Sequence, residues 1–331
     1  MFQLPISFHQ LISVMIYFNT KKGNSFSKIK SNKIKSITNL LFFCIFCLLS
    51  TAVNSQSINL FTNPDGGSGF SSSPIVFGSN LYFKYQNTNN LYQLAKFDGT
   101  NITLISNPEG GNGFDGNPIV FNSNLYFSYK NINNIDQLAK YDGTNISLIT
   151  NPDGGGGFTG NPIVFNGNLY FNYQNINNKS QLAKYDGNNI TLINNPDGGV
   201  GFTGSPIVFG SNLFISYYNI NHISQLAKYD GTNLTLINNP DNGQGYNGNP
   251  IVYQSYLYIN YLNNSANHQL AKFDGTNLSL IPNPDNGVGI ISAPILFGNN
   301  LFMAYSNTNS NNQLLKYDGT NLSLISNPDG N

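Results

Sequence analysis

The sequence repeats itself at a fixed step. The segment Gln181-Leu-Ala-Lys-Tyr-Asp-Gly187 returns with small changes at Gln93, Gln137, Gln225, Gln269 and Gln313, each 44 residues from the last. One proline series (Pro64, Pro108, Pro152, Pro196, Pro240, Pro284, Pro328) and a second (Pro74, Pro118, Pro162, Pro206, Pro250, Pro294) keep the same 44-residue step. No insertion breaks the period, so every unit must hold an equivalent place against its neighbours. Tandem units of this size bury their apolar faces on one another rather than around one shared centre.

The third copy, Asn151 to Ile193, contains four short runs of strand formers: Pro162–Phe165, Asn168–Tyr173, Gln181–Tyr185 and Ile190–Ile193. Asn166-Gly167, Gln174 to Ser180 and Asp186 to Asn189 separate them, and no helical period appears. Four antiparallel strands per repeat predict an all-β fold, a β-propeller of 44-residue four-stranded blades, with six blades as the expected ring. Blades pack face to face, and the second run is apolar on both sides, with Leu169 and Phe171 on one and Tyr170 on the other. Proline is expected to open the first strand, where a missing N–H costs least. The Gln-Leu-Ala-Lys-Tyr-Asp-Gly segment is then the third strand plus the turn after it, since Asp-Gly suits tight hairpins. This gives the repeated Asp98, Asp142, Asp186, Asp230, Asp274 and Asp318 a structural role, and lets the register lysines, such as Lys184, meet nearby carboxylates.

Ring closure is the open point of this reading. Ile58–Phe61 is a seventh copy of the fourth strand. It either completes the sixth blade, leaving Leu322–Ile325 surplus, or the chain stops on the threshold of another blade. A longer ring cut short and an open stack are the alternatives.

The pattern Asn-Leu-Tyr-Phe followed by Gln-Leu-Ala-Lys-Tyr-Asp-Gly-Thr resembles repeats of bacterial surface proteins, of the type LYFxAxDG…ELWKTDGT. The resemblance covers Ile58 to Asn331, with Gln-Leu-Ala standing where that pattern has Glu-Leu-Trp. It implies an extracellular propeller and brings no catalytic residues.

Residues 1–55 differ in kind. They carry Lys21, Lys22, Lys28, Lys30, Lys33 and Lys35, no acidic residue, the apolar run Leu40–Leu49 and then small residues. This is the pattern of a secretory signal peptide, and the run is shorter than the roughly 20 residues of a membrane span. Cleavage after Ser55 would discard Cys44 and Cys47, the only cysteines. The expected mature chain, 56–331, has no thiol and no membrane span, and is secreted or held at the cell surface. Its nine Lys against fifteen acidic residues give a net charge of −6, without a single Arg. That disfavours nucleic acid as a partner.

The candidate binding groups lie in the Asn-Pro-Asp-Gly loops. Asp65, Glu109, Asp153, Asp197, Asp241 and Asp285 follow the loop proline, and Phe70, Phe114, Phe158, Phe202 and Tyr246 stand five residues later, with Ile290 in the sixth copy. An acid beside an aromatic could stack and hydrogen-bond a sugar, and six equivalent sites would add avidity. Ca²⁺ is the one cofactor these acids suggest, although one carboxylate per loop falls short of its usual oxygen shell. Turn formation for the acid and core packing for the aromatic are the plainer readings. His222 and His268 fall at unlike places in their units, and no Ser-His-Asp, zinc or phosphate-loop pattern occurs. The sequence therefore predicts a binding or adhesion scaffold, partnered by a glycan or a surface protein. A multivalent lectin is the alternative, and a hydrolase a weaker one. Asn101, Asn145, Asn189, Asn233, Asn277 and Asn321 begin Asn-Ile/Leu-Ser/Thr triplets. These would be glycosylation acceptors in a eukaryotic secretory pathway, and in a bacterium mean only a turn entering a strand, the reading favoured here.

Overall fold

A computed structural model describes residues 60–328. The leader, its two cysteines and Ile58-Asn59 of the Ile58–Phe61 segment lie outside the described residues. Every regular element among those described is a β-strand.

In the third repeat the strands run Gly157–Phe165, Asn168–Gln174, Ser180–Tyr185 and Ile190–Ile193. Each pairs antiparallel with the next, as in Phe171↔Ala183 and Ala183↔Leu192. The last three match the sequence reading to within a residue. The first does not start at Pro162. It begins at Gly157, because Gly157, Phe158 and Thr159 pair with Gln174, Tyr173 and Asn172 before a bulge restores the register at Ile163. Half of what reads as a loop is thus a strand, and a residue on a strand alternates between faces.

Alternation places two apolar faces on each sheet, and the cores form between repeats. Phe158, Leu169, Phe171, Tyr173, Ala183 and Tyr185 face backward, onto Phe121, Tyr126 and Leu138 of the second repeat. Phe165, Tyr170 and Leu182 face forward, onto Phe202, Leu213, Ile215 and Tyr217 of the fourth. The rings meet edge-on or tilted, as in Tyr126–Tyr185 and Tyr170–Tyr229, with centroids 5.6 Å apart in both.

Backbone contacts lock consecutive repeats. The third strand of one repeat touches the first strand of the next in parallel, as at Asp136↔Gly157. Asn151 Nδ2 donates to the carbonyl of Asp136 at 3.0 Å, and the same Asn bond recurs from Asn107, Asn195, Asn239 and Asn283. Gly157 has φ +88°, and a Cβ there would stand 1.7 Å from the Asp136 oxygen, so no other residue fits. The first strands also approach one another directly: Asn117 Nδ2 donates to Asn161 Oδ1 at 3.0 Å, and Asn161 Nδ2 to Ser205 Oγ at 3.3 Å.

The recurrent heptapeptide now has a function at nearly every position. Gln181 Oε1 accepts from Asn175 in the preceding loop. Leu182 and Ala183 enter the cores on opposite faces. Tyr185 Oη donates to the Gly187 carbonyl at 2.7 Å. Asp186 Oδ1 accepts from the N–H groups of Asn188 and Asn189, both at 2.8 Å. Those two bonds hold the Asp186 carboxyl below its ordinary range. The register lysines do not pair as expected. The ion pairs among the described residues are Lys84–Asp115 and Lys130–Asp136, while Lys272 sits over the Tyr256 ring at 3.6 Å.

Among the described residues, no strand of the first repeat pairs with one of the sixth. Leu322–Ile325 fills the fourth position of the sixth repeat, paired with Asn312–Tyr317. Phe61 lies outside any strand and meets Phe97 of the first repeat edge-on, with ring centroids 4.6 Å apart. Among the described residues no sheet closes, and neither a six-bladed ring nor its closure by Ile58–Phe61 is shown.

Candidate functional site

The Asn-Pro-Asp-Gly loop and the loop between the second and third strands meet on one face, and the repeated acid joins them. Asp153 Oδ1 accepts from the Gly155 N–H at 2.9 Å and from the Tyr173 hydroxyl, while Oδ2 accepts from the Ile176 N–H at 2.9 Å. Asp65, Asp197, Asp241 and Asp285 repeat the set with Tyr85, Tyr217, Tyr261 and Tyr305. Burial opposes ionisation of Asp153, but the hydrogen bonds outweigh it and hold the carboxyl below its ordinary range. The partner phenols move the other way. Burial first, and then the bond to Asp65, pushes Tyr85 up to about 12. These carboxylates already accept three donors each, so their first task is to position the loop. Among the described residues, no group of three or more His, Cys, Asp or Glu is placed to hold a metal.

The second repeat breaks the pattern. Glu109 is one methylene longer, and the buried Tyr129 hydroxyl has no hydrogen-bond partner. Burial raises the Tyr129 phenol above its ordinary range.

The aromatic half of the predicted sugar site is not available. Phe114, Phe158, Phe202, Tyr246 and Ile290 are buried in the cores between repeats, with the Phe158 ring 4.8 Å from Phe171. The early start of the first strand is the reason, since it turns these side chains into the sheet interface. Only Phe70, in the first repeat, is exposed among this series. Acid and aromatic are thus close in sequence yet face different surroundings.

What the loop face does present is a row of tips. Asn175 Oδ1 accepts from the N–H groups of Asn177 and Lys179, and Asn131, Asn219, Asn263 and Asn307 do the same in their loops. The tip backbone is therefore alike from repeat to repeat while its side chain changes. Thr88, Ile132, Ile176, Ile220, Asn264 and Thr308 occupy one position, and the three isoleucines are exposed. Beside the tip of the fourth repeat lies an open groove of about 470 Å³, lined by Asn219, Ile223, Gln225, Asn238, Asn239 and Asn242. Its polar groups are neutral amides.

A second variable set lies where first, second and third strands cross, and the sequence reading missed it. Lys84, Ser128, Asn172, Ser216 and Asn260 share one register, and Tyr92, Asp136, Ser180, Ser224 and His268 another. The available signal was the change of residue at fixed register. In the fourth repeat this set is neutral, with Thr203 Oγ1 donating to Ser216 Oγ at 3.0 Å. In the second it is charged: Asp115 pairs with Lys84 at 2.9 Å and Asp136 with Lys130 at 3.0 Å. Burial raises both carboxyls. At Asp115 the bond and charge of Lys84 prevail and the net shift is down, whereas at Asp136 burial prevails over Lys130. A pocket of about 220 Å³ adjoins them, lined by Ser128, Phe158, Thr159 and Asn161.

No protein-family model matches the sequence, and no curated protein matches it. Solved structures do resemble the fold. One of two prolyl endopeptidases aligns with a TM-score of 0.52 at 11% identity, over 78% of this chain and 43% of its own. The extracellular domain of a B. thetaiotaomicron protein, described as a one-component system, aligns at 0.42 and 15% identity, over 84% of this chain and 36% of its own. An Aleuria aurantia lectin in complex with Fucα1-6GlcNAc aligns at 0.36 and 13%, over 78% and 95%. This chain spans less than half the length of the first two. At such identities the likeness concerns the fold alone, and of these three the first carries it, toward propeller-like all-β architecture.

Proposed function

We propose that this chain is a β-propeller-type scaffold, delivered outside the cell, that binds through its loop face and performs no catalysis. The single observation behind this reading is the division of labour in the loops. Asp153 and its counterparts fix the tip backbone through one N–H bond each, while the exposed tip side chain differs between repeats. Variable side chains on a backbone held from beneath are how rigid scaffolds present binding surfaces. The propeller reading draws support from the Asn117–Asn161–Ser205 ladder, which brings first strands together as the inner edges of radiating wedges would be. The leader supports export.

Binding of the labelled protein to intact cells and to surface-protein extracts tests this. Changing Ile132, Ile176 and Ile220 together to Asp is expected to abolish it, while changes at Asn122 and Asn166, in the turns after the first strands, leave it intact. Equal losses from both sets would reject the loop face.

Glycan binding is the second reading, favoured by the amide-lined groove beside Asn219 and Gln225. Neutral amides donate and accept as hydroxyl-rich ligands require. The expected outcome is a glycan-array signal lost in Asn242→Ala, and an array blank with folded protein would dismiss it.

A further inference from the structure

The junctions between consecutive repeats are built from the same parts. Forward, a repeat offers an aromatic from the end of its first strand, one from its second and a leucine from its third, as Phe165, Tyr170 and Leu182. Backward, it offers the larger set that includes Phe158, Phe171 and Tyr173. Among the described residues, the two outermost faces carry these same sets without a neighbouring repeat, and each leaves part of its set exposed. Phe297, the counterpart of Phe165, is 74% exposed against 5%, and Leu314 is 45% exposed against 1% for Leu182. On the first repeat, Phe70 is 58% exposed against 1% for Phe158, with its ring 5.0 Å from that of Phe83, while Phe83, Tyr85 and Ala95 themselves are buried. Exposed apolar faces of this kind are interaction surfaces.

We propose that the Phe297 face of the sixth repeat docks on the Phe70 face of the first repeat of a second copy of this chain, so that copies join head to tail. Each face is the partner of the other, because the chain already makes this junction between its own repeats, with the same residue types in the same register. The segment that would clash is itself duplicated. Asn327-Pro328 repeats Asn63-Pro64, and Asn327 already bonds the Asn312 carbonyl at 3.2 Å, as Asn151 bonds Asp136. On docking, the incoming Asn63 takes that carbonyl and the Asn327 tail gives way. The interface is heterologous, using different surfaces on the two partners, so it propagates rather than stopping at a symmetric dimer.

Sedimentation velocity of the full chain from a secreting host, over a wide concentration range, tests the proposal. Wild type is expected to form a concentration-dependent series beyond the dimer. Phe297→Glu and Phe70→Glu should each weaken association by at least about tenfold. Each variant keeps one live face, so mixing the two is expected to restore a one-to-one heterodimer and nothing longer. Circular dichroism checks folding, and Leu314→Lys provides a second block of the sixth-repeat face should Phe297→Glu misfold. A monomer at every concentration would overturn the proposal, whether the chain closes on itself or another of its segments covers these faces. So would a mixture of the two variants that fails to pair.

Discussion

The third repeat and the sixth contain nearly the same strands, yet they are not equally folded against water. Leu182 and Phe165 are buried while Leu314 and Phe297 are exposed. The difference lies wholly in the neighbour. A repeat here supplies half of two cores and owns neither, so its stability is a property of the junctions on either side. The glycine after the Asn-Pro-Asp-Gly loop teaches the same lesson. At Gly157 a side chain would collide with the Asp136 backbone of the preceding repeat, whereas at Gly69 it would meet only the Asn63 side chain, its nearest atom 2.6 Å away.

That comparison can be broken most sharply at those glycines. Gly157→Ala should cost about 3–5 kcal/mol, combining backbone strain at positive φ with an immovable collision. Gly69→Ala, strained equally at φ +87° but facing a movable side chain, should cost about 1–2 kcal/mol. Urea midpoints of the two variants check this, and equal losses would show that the junction adds nothing. Next in size, Leu182→Ala should lose about 2–5 kcal/mol as a core truncation, and Leu314→Ala less than about 1 kcal/mol. If head-to-tail association covers the sixth repeat, the Leu314→Ala loss should grow with protein concentration.

The loop acids allow finer tests. Tyr173→Phe removes one donor to Asp153 and should cost about 1–2 kcal/mol near neutral pH. The Asp153 carboxyl is held below its ordinary range, so its contribution is present above the unfolded carboxylate pKa and is lost as pH falls through the folded one. The gap between wild type and Tyr173→Phe should therefore narrow below about pH 4. A gap that persists there would mean the hydroxyl acts through packing instead. Smallest of all, Glu109→Asp should gain about 0.5–1.5 kcal/mol by giving Tyr129 the partner its counterparts have, read as a rise in thermal midpoint.

The period, the strands and the turns were legible in the sequence, because turn chemistry and alternation are local. Asp186 and Gly187 act within four residues of themselves. Phe158 was not legible as a core residue. The bulge that carries it inward depends on pairing with Tyr173, fifteen positions on, and on contact with the repeat before. Asp153 likewise reads as a surface ligand until Tyr173 and Ile176 are seen to claim its oxygens.

The sequence by itself determined that identical four-stranded sheets follow one another at a constant step, since the spacing of strand and turn residues leaves no other assembly unit. Only the tertiary structure decided which copies are covered and which are bare. Burial is settled by what stands opposite a face, and a residue's own neighbours along the chain carry no record of that.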